Sequence, residues 1–244
     1  MNEKIISEPL ESLLKNYRFE IDNIKKIVSG AKYTALLLKN GNIGVCANLG
    51  NQVQTKKNIY ANFNLGNFSH RIVLNTYFNA LLNYSVKYET GDIFEKVNFK
   101  KFNNIAMIGL FKPIVKKFQQ NKIPLTIFDY IKSDNILTSM SDQKQILKKA
   151  DAIILTSTSI FNLTFLDIIN EVNDNCCIFM LGPSSIMNKE ILQYRNIKMI
   201  FGATFDKFDE RILKIIENDG GTRKFLKLGY KQIATTGETD ENLS

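Results

Sequence analysis

Apolar residues follow two different patterns along the chain, and the change occurs near residue 100. From Ile6 to Tyr17 they recur at the spacing of one helix face and predict an amphipathic helix. Three short aliphatic segments follow, and Asn40-Gly41 between the second and third is a strong signal for a two-residue hairpin. We therefore expect a meander of three antiparallel strands at residues 24–29, 33–39 and 42–48.

The segment after this meander, residues 49–67, is polar and rich in asparagine, which predicts a long surface loop. A helix is then expected over residues 70–84, because apolar side chains again recur at helical spacing. Its buried face would hold Leu74, Phe78, Leu81 and Leu82.

Beyond residue 103, near-continuous apolar runs alternate with amphipathic segments. Such runs are typical of buried parallel strands, and their alternation with helices predicts right-handed crossovers and a sheet covered on both faces. We favour the strand order 2-1-3-4-5, because it brings the loops after the first and third strands together. The strands are expected at 104–110, 124–130, 151–157, 176–181 and 197–203, and the helices at 113–120, 142–149, 162–172, 187–194 and 206–218.

These patterns predict an α/β protein with two domains. Residues 1–100 would form a smaller α+β domain, packed on the carboxyl edge of a parallel-sheet domain at residues 101–235. Residues 236–244 show no periodicity, and we expect a disordered tail there.

Composition is that of an ordinary globular chain. Of its 244 residues, 44% are apolar and 11% aromatic, enough for a sizeable core. No run of eighteen apolar residues exists and the first thirty residues are highly charged, so we expect neither a membrane span nor a signal peptide and favour the cytoplasm. An odd number of cysteines, three, argues against a disulfide framework.

The chain carries a net charge of +8, which favours anionic partners. Its basic residues are spread singly and in pairs, with no stripe that interleaves aromatic residues. Nucleic acid is therefore an unlikely partner, and a small molecule is the favoured one.

Hydroxyl side chains are concentrated after the third predicted parallel strand, in the sequence LTSTSIFNLT of residues 155–164. Ligands of open parallel sheets bind beyond the carboxyl ends of the strands, so these side chains would face a ligand. Asn162 is well placed to cap the next helix, with Thr158 or Ser159 as alternatives. Two further loops at the same edge, Gly109–Pro113 and Gly182–Ser185, have small or conformationally restricted residues. Neither the dinucleotide nor the nucleoside-triphosphate glycine motif occurs, so we expect no NAD or ATP.

The series IGLFKPIV, ADAIILTSTSIFNLTF, FMLGPSSIM, IFGATFD and NDGGTRKF resembles the "putative heavy-metal-chelation" family, whose C-terminal domain is Rossmann-like. ALLLKNGNIGVCANLG and TYFNALLNY are similar to that family's N-terminal domain, which has an enolase-N-terminal-like fold. The resemblance spans nearly the whole chain. One departure is Leu163, where the family resemblance implies a small residue before the motif threonine. The most specific matches are Phe111-Lys112-Pro113, Asn162-x-Thr164 and Gly182-Pro183-Ser184.

This resemblance implies an interdomain site for a divalent heavy metal or a metal-bearing small molecule. The residues themselves supply few soft ligands, because His70 is the single histidine and no Cys-x-x-Cys or His-x-x-x-His spacing occurs. Cys176 and Cys177 are adjacent and would point to opposite faces of a strand, so one ion cannot bind both. His70 remains a candidate metal ligand, with a plain helix-start residue as the alternative. A metal held mainly by a bound organic chelator is the alternative that this inventory leaves open.

The leading hypothesis is therefore a protein that binds a small anionic ligand or metal complex in the cleft. Asn75, Asn79 and Asn83 form a polar stripe on the helix at 70–84, and Asn79 matches the family's Asn-Ala pair. The alternative is an enzyme of unassigned reaction, with His70 or Asp129 as acid or base. The expected binding residues are Asn79, Phe111, Lys112, Pro113, Asp129, Thr158, Asn162, Thr164, Gly182, Pro183 and Ser184.

Overall fold

The computed structural model describes residues 7–130 and 134–236. Residues 237–244, where we expect a disordered tail, lie outside this range. The chain forms a mixed α/β fold with two sheets, one small and antiparallel and one large and mostly parallel. Secondary structure before residue 100 consists of helices α1 (Pro9–Asn16), α2 (Phe68–Leu82) and α3 (Ile93–Lys96) and strands β1 (Ile24–Ser29), β2 (Tyr33–Leu38), β3 (Ile43–Ala47) and β4 (Glu89–Thr90).

The small sheet is the predicted meander, with β1 and β3 antiparallel to β2 on either side. The sequence prediction is wrong about the second turn of this meander, because the loop between β2 and β3 has three residues instead of two. The Leu38 N–H donates to the Asn42 carbonyl at 2.9 Å, and the Gly41 N–H donates to the Leu38 carbonyl at 3.0 Å. A two-residue turn of the predicted kind needs left-handed backbone at both central residues. Gly41 has a φ of 92°, whereas Asn40 has no positive φ.

Helix α2 begins two residues earlier than predicted, since Asn67 accepts a hydrogen bond from the His70 N–H at 3.2 Å and caps it. The helix is buried on nearly every side, including its polar positions. It packs closely on the small sheet, where a Cβ atom at Gly44 would lie 2.1 Å from the Thr76 carbonyl oxygen. Only glycine permits this approach, which fixes α2 against β3.

The large sheet has the order β4-β10-β9-β8-β7-β5-β6 within the described residues. The parallel run β6-β5-β7-β8-β9 confirms the predicted order 2-1-3-4-5. Its strands are β5 (Ile105–Ile108), β6 (Thr126–Phe128), β7 (Ala152–Thr156), β8 (Cys177–Leu181), β9 (Ile197–Phe205) and β10 (Gly229–Thr235). The helices between them are α4 (Lys112–Gln120), α5 (Gln143–Lys149), α6 (Phe165–Glu171), α7 (Lys189–Leu192), α8 (Arg211–Glu217) and α9 (Thr222–Phe225).

Strand β10 was missed by the sequence prediction. It runs antiparallel to β9 and pairs on its other side with β4. In β10 only Ile233 and Ala234 are buried. Its sequence, GYKQIAT, therefore lacks the continuous apolar run that made the parallel strands recognisable.

The hydrophobic core is continuous between the two parts of the chain. One buried cluster includes Leu36 and Phe78 from the first hundred residues together with Leu155 and Met180 from the large sheet. Strand β4 also lies in the first hundred residues and pairs with β10. The division into two domains near residue 100 stays a prediction. Within the described ranges, no helix combines the length and apolar character needed to cross a membrane.

Candidate functional site

A cleft of about 1470 Å³ lies at the carboxyl ends of β5, β6, β7 and β8. Its facing wall comes from the turn after β1, residues 31–33, and the segment after β3, residues 47 and 49–51. This is the edge at which open parallel sheets bind ligands. The predicted binding residues that line the cleft are Phe111, Asp129, Thr158, Asn162, Thr164, Gly182, Pro183 and Ser184.

Strands β5 and β7 lie side by side where the strand order reverses, and their ends meet closely. Gly109 has a φ of 95°, and a Cβ atom there would lie 2.8 Å from the Thr156 Cβ. The next residue, Leu110, donates its N–H to Asp129 Oδ2 at 2.7 Å. The carboxylate of Asp129 therefore ties the loop after β5 to the end of β6, in addition to lining the cleft.

The hydroxyl-rich segment after β7 lines the cleft with Thr156, Ser157 and Thr158 and also makes buried contacts. Thr156 and Thr158 hydrogen-bond through their Oγ1 atoms at 3.0 Å, and both line the cleft. Ser157 is buried and hydrogen-bonds to the Ser185 hydroxyl. Since Ser185 Oγ donates to the Phe201 carbonyl at 2.8 Å, Ser157 is the donor in that pair. Part of this hydroxyl cluster therefore joins the loop after β7 to the loop after β8.

Asn162 does not cap helix α6, contrary to the sequence prediction. The helix begins at Phe165, and its N-cap position is Thr164, whose side chain makes no capping bond. Instead, Asn162 Oδ1 accepts from the Thr164 N–H at 3.1 Å and from the Thr164 hydroxyl at 2.7 Å. Thr158 and Ser159 do not cap α6 either, since both lie in a separate 3₁₀ turn. The helix cannot start earlier because Leu163 has a left-handed φ of 68°.

Helix α2 holds the loop after β8 from behind through its asparagine stripe. Asn75 Nδ2 donates to the Ser184 carbonyl at 3.0 Å, and Asn79 Nδ2 donates to the Pro183 and Ser185 carbonyls at 3.1 and 2.6 Å. Asn79 Oδ1 also accepts from the Val45 N–H at 3.0 Å, which leaves its side chain fully committed to backbone. Asn79 is completely buried and does not line the cleft. Asn83 completes the stripe, donating to the Ser185 carbonyl at 2.9 Å and accepting from the Met187 N–H at 2.7 Å.

The same helix holds the loop after β7 through Arg71, a residue that the sequence analysis missed. Its guanidinium donates to the Phe161 carbonyl at 2.7 Å, to the Ile160 carbonyl at 3.0 Å and to Glu8 at 2.5 Å. Arg71 is only 2% exposed. Burial raises the pKa of Glu8, and the adjacent Arg71 opposes that rise. The one signal in the sequence was the position of Arg71 four residues before Asn75, at the spacing of the asparagine stripe.

Ser184 connects the cleft to the small sheet, because its hydroxyl accepts from the Ala47 N–H at 3.0 Å. Behind it lies the thiol of Cys46, whose pKa is raised to about 12 by complete burial, although hydrogen bonding with Ser184, Thr76 and Asn75 opposes the rise. A thiol of this kind is protonated at neutral pH and is a poor metal ligand.

The remaining soft ligands do not assemble into a metal site. His70 lies outside the cleft lining, accepts from the Asn64 N–H at Nδ1 over 3.1 Å and contacts the rings of Tyr60 and Phe63. Cys176 and Cys177 pack in different core clusters, and burial raises the Cys176 pKa to about 12. Over residues 7–130 and 134–236, no three His, Cys, Asp or Glu side chains are grouped as metal ligands. The donor set therefore does not fit a metal ion held by protein alone.

Charged residues around the cleft differ from those predicted. Lys112 does not line it and pairs with Asp134 at 3.0 Å, and Pro113 is also absent from its lining. The sequence pattern emphasised residues directly after the strands, whereas most cleft charges come from more distant turns and helices. Among the described residues, the basic ones that line the cleft are Lys32, Lys144, Arg223 and Lys224, and the acidic ones are Asp129, Asp167, Glu171 and Asp219.

Comparisons with known proteins agree with this fold. The model of the DUF364 family, described as "Putative heavy-metal chelation", matches residues 92–235. A DUF364 protein of unknown function from Pyrococcus horikoshii is 20% identical, with a TM-score of 0.75 over 93% of this chain and 98% of the other. Another, also of unknown function, from Desulfitobacterium hafniense DCB-2 is 15% identical, with a TM-score of 0.71 over 93% of this chain and 96% of the other. No curated protein has detectable sequence similarity to this chain.

Proposed function

This chain belongs to the DUF364 family, and we propose that its cleft binds a small anionic organic ligand, either free or as a complex with a divalent heavy metal. The proposal rests on the buried hydrogen bonds by which helix α2 holds the loops of the cleft in place. Arg71 and Asn79, both buried on α2, bond to the backbone of two cleft loops. Such support fixes a binding surface in advance and lowers the entropic cost of binding.

A complex suits this cleft better than a bare ion. The three thiols and the single imidazole are dispersed, and the thiols of Cys46 and Cys176 are held protonated by burial. The cleft instead offers hydroxyl groups, side-chain amides and charges of both signs. Groups of this kind recognise an organic molecule, which would itself supply the ligands of any metal that it carries.

The proposal is tested by native mass spectrometry of protein purified without chelators, followed by calorimetric titration with Ni²⁺, with citrate and with nickel citrate. We expect saturable binding of the organic anion or its complex and much weaker binding of free Ni²⁺. Thr158→Val should weaken that binding, because it removes a cleft hydroxyl. Thr90→Val, at an exposed position of β4 outside the cleft lining, is the matched control. Tight uptake of free Ni²⁺ at one ion per chain that is lost in His70→Ala would overturn the proposal.

An enzyme acting in the same cleft is the second candidate, and the position of Asp129 favours it. Of the acid or base candidates in the sequence, Asp129 lines the cleft and His70 does not. Asp129→Asn preserves an oxygen to accept the Leu110 N–H but cannot exchange a proton. If a captured molecule is converted by the wild type, Asp129→Asn should retain binding and lose conversion. Equal conversion by both proteins would exclude Asp129 as the acid or base.

A further inference from the structure

Three basic side chains lie together at one end of the cleft. Lys32 comes from the turn after β1, and Arg223 and Lys224 come from α9, and all three are exposed and line the cleft. We infer that this end, the Lys32–Arg223–Lys224 cluster, binds the anionic group of the ligand and that this group is a phosphate. The inference rests on the proposed function, which it deepens by naming the ligand's charged group and its position.

Tight packing brings the two segments of the cluster together. A Cβ atom at Gly30 would lie 2.0 Å from the Ile216 carbonyl oxygen, so the turn after β1 presses directly on the end of α8. The Ala31 N–H donates to Asp219 Oδ1 at 2.6 Å and locks that contact. Lys32 follows immediately, and its Cδ lies 3.9 Å from the position of a Cβ at Gly221. Two segments far apart in sequence are thus held next to each other by contacts that need no ligand.

The cluster has no anionic partner in the part of the chain that the structure describes. Neither Lys32, Arg223 nor Lys224 forms an ion pair there. Asp219, a carboxylate of the same segment that also lines the cleft, accepts the Ala31 N–H and forms no ion pair with these cations among the described residues. Its single negative charge leaves the three cations with a net positive charge. Like charges held close together repel one another, and a bound anion removes that repulsion.

The chemistry of the cluster suits a phosphate better than a single carboxylate. A guanidinium presents a planar fork of donors that matches two phosphate oxygens, and two ammonium groups add point charges for the remaining oxygen and the second negative charge. The Thr222 hydroxyl also lines this end of the cleft. Elsewhere the cleft contains Thr158, Asn162 and Asp129, which suit hydroxyl or amino groups. The ligand class is therefore an organic phosphate with polar groups away from its phosphate.

The test is calorimetric titration with inorganic phosphate and pyrophosphate at low ionic strength. Wild type should bind both saturably, and Lys32→Gln and Arg223→Gln should each weaken binding roughly ten- to hundredfold, as expected for the loss of one charge-assisted contact. Lys227→Gln removes the same charge from an exposed lysine that does not line the cleft and should change the affinity less than about twofold. Circular dichroism verifies that all variants are folded.

Two results would overturn the inference. One is the absence of saturable phosphate or pyrophosphate binding to wild type, and the other is equal affinity of Arg223→Gln and Lys227→Gln. Titration of the same proteins with citrate separates this inference from the proposed function. Citrate binding that depends on Thr158 but not on Lys32 or Arg223 would preserve the proposed function and refute the phosphate subsite. Phosphate binding that depends on Arg223, without any effect of Thr158→Val on citrate or nickel citrate, would preserve the phosphate subsite and refute the proposed function.

Discussion

The side-chain amide of Asn79 donates to the Ser185 carbonyl oxygen at 2.6 Å, across 106 positions of sequence. The same amide group also donates to Pro183 and accepts from Val45, so one side chain joins the small sheet, helix α2 and the loop after β8. The side chain is completely buried, and its bonds to Val45 and Ser185 are buried as well, whereas Pro183 lines the cleft. The wall of the cleft is consequently held by groups that never touch a ligand.

This arrangement predicts that Asn79→Ala destabilises the fold strongly. The substitution leaves the Val45 N–H and the Pro183 carbonyl without their partner, whereas the Ser185 carbonyl keeps its bond from Asn83. Such groups cost about 1–3 kcal/mol each, so we expect a loss of about 2 kcal/mol or more. Urea unfolding measures the free energy. Asn170→Ala, at an exposed position of α6, should change it by less than about 0.5 kcal/mol. Equal midpoints for the two variants would mean that the Asn79 contacts contribute nothing.

Two substitutions of Asn162 distinguish its role in the local turn from a role in ligand binding. Asn162→Asp preserves the oxygen that accepts from Thr164 and should leave the free energy of unfolding within about 1 kcal/mol of wild type, whereas Asn162→Ala should lose about 0.5–1.5 kcal/mol. The aspartate would also place a negative charge at the cleft and weaken an anionic ligand. Calorimetry with citrate checks this effect. Unchanged affinity in Asn162→Asp would remove Asn162 from the contact surface.

Leu163 offers a stabilising substitution. Its φ of 68° is left-handed and its side chain is 54% exposed, so little burial is lost when the side chain is removed. A left-handed L-residue costs about 1–2 kcal/mol, and glycine adds about 0.5–1 kcal/mol of chain entropy, so Leu163→Gly should stabilise by up to about 1 kcal/mol. Leu163→Val should destabilise, because β-branched residues tolerate this conformation poorly. Thermal unfolding that ranks valine above glycine would contradict this account.

His70 should make stability depend on pH. Burial lowers the pKa of His70 below its ordinary value of 6.5 in the folded protein. The unfolded chain therefore takes up a proton first as the pH falls, and stability decreases from pH 6.5 down to the lowered pKa. Protonation would also displace the Asn64 N–H from Nδ1. Since the chain has no other histidine, urea midpoints of His70→Gln should vary less across this range. An identical slope in both proteins would exclude His70 as the origin.

Lys112 should contribute little to ligand affinity. Its ammonium group pairs with Asp134 at 3.0 Å and does not line the cleft, unlike Arg223. Lys112→Ala should therefore reduce citrate affinity less than Arg223→Gln does in parallel calorimetric titrations. The reverse ranking would mean that Lys112 contacts the ligand, as its sequence motif suggested.

Local sequence patterns were enough to predict the parallel sheet, its strand order and the edge at which the cleft opens. Long apolar runs and helical periodicity are local signals, and crossovers of one hand leave few arrangements of such strands. The same patterns also placed Thr158, Gly182 and Ser184 at that edge, because each directly follows a strand. Phe111 and Thr164, which lie in the loops that the sequence pattern placed at this edge and which also match the family's motifs, likewise line the cleft.

The residues behind and opposite that edge could not be predicted in the same way, because their contacts join distant parts of the chain. Asn79 and Arg71 bond to backbone carbonyls about a hundred positions away, and a carbonyl carries no mark in the sequence of which side chain will reach it. The cluster of Lys32 with Arg223 and Lys224 exists because Gly30 packs against Ile216 and Ala31 bonds to Asp219. The turn between β2 and β3 and the start of α6 also differ from the prediction. Each depends on a left-handed residue, Gly41 in the turn and Leu163 before the helix, and the residue preferences in the sequence did not indicate these conformations.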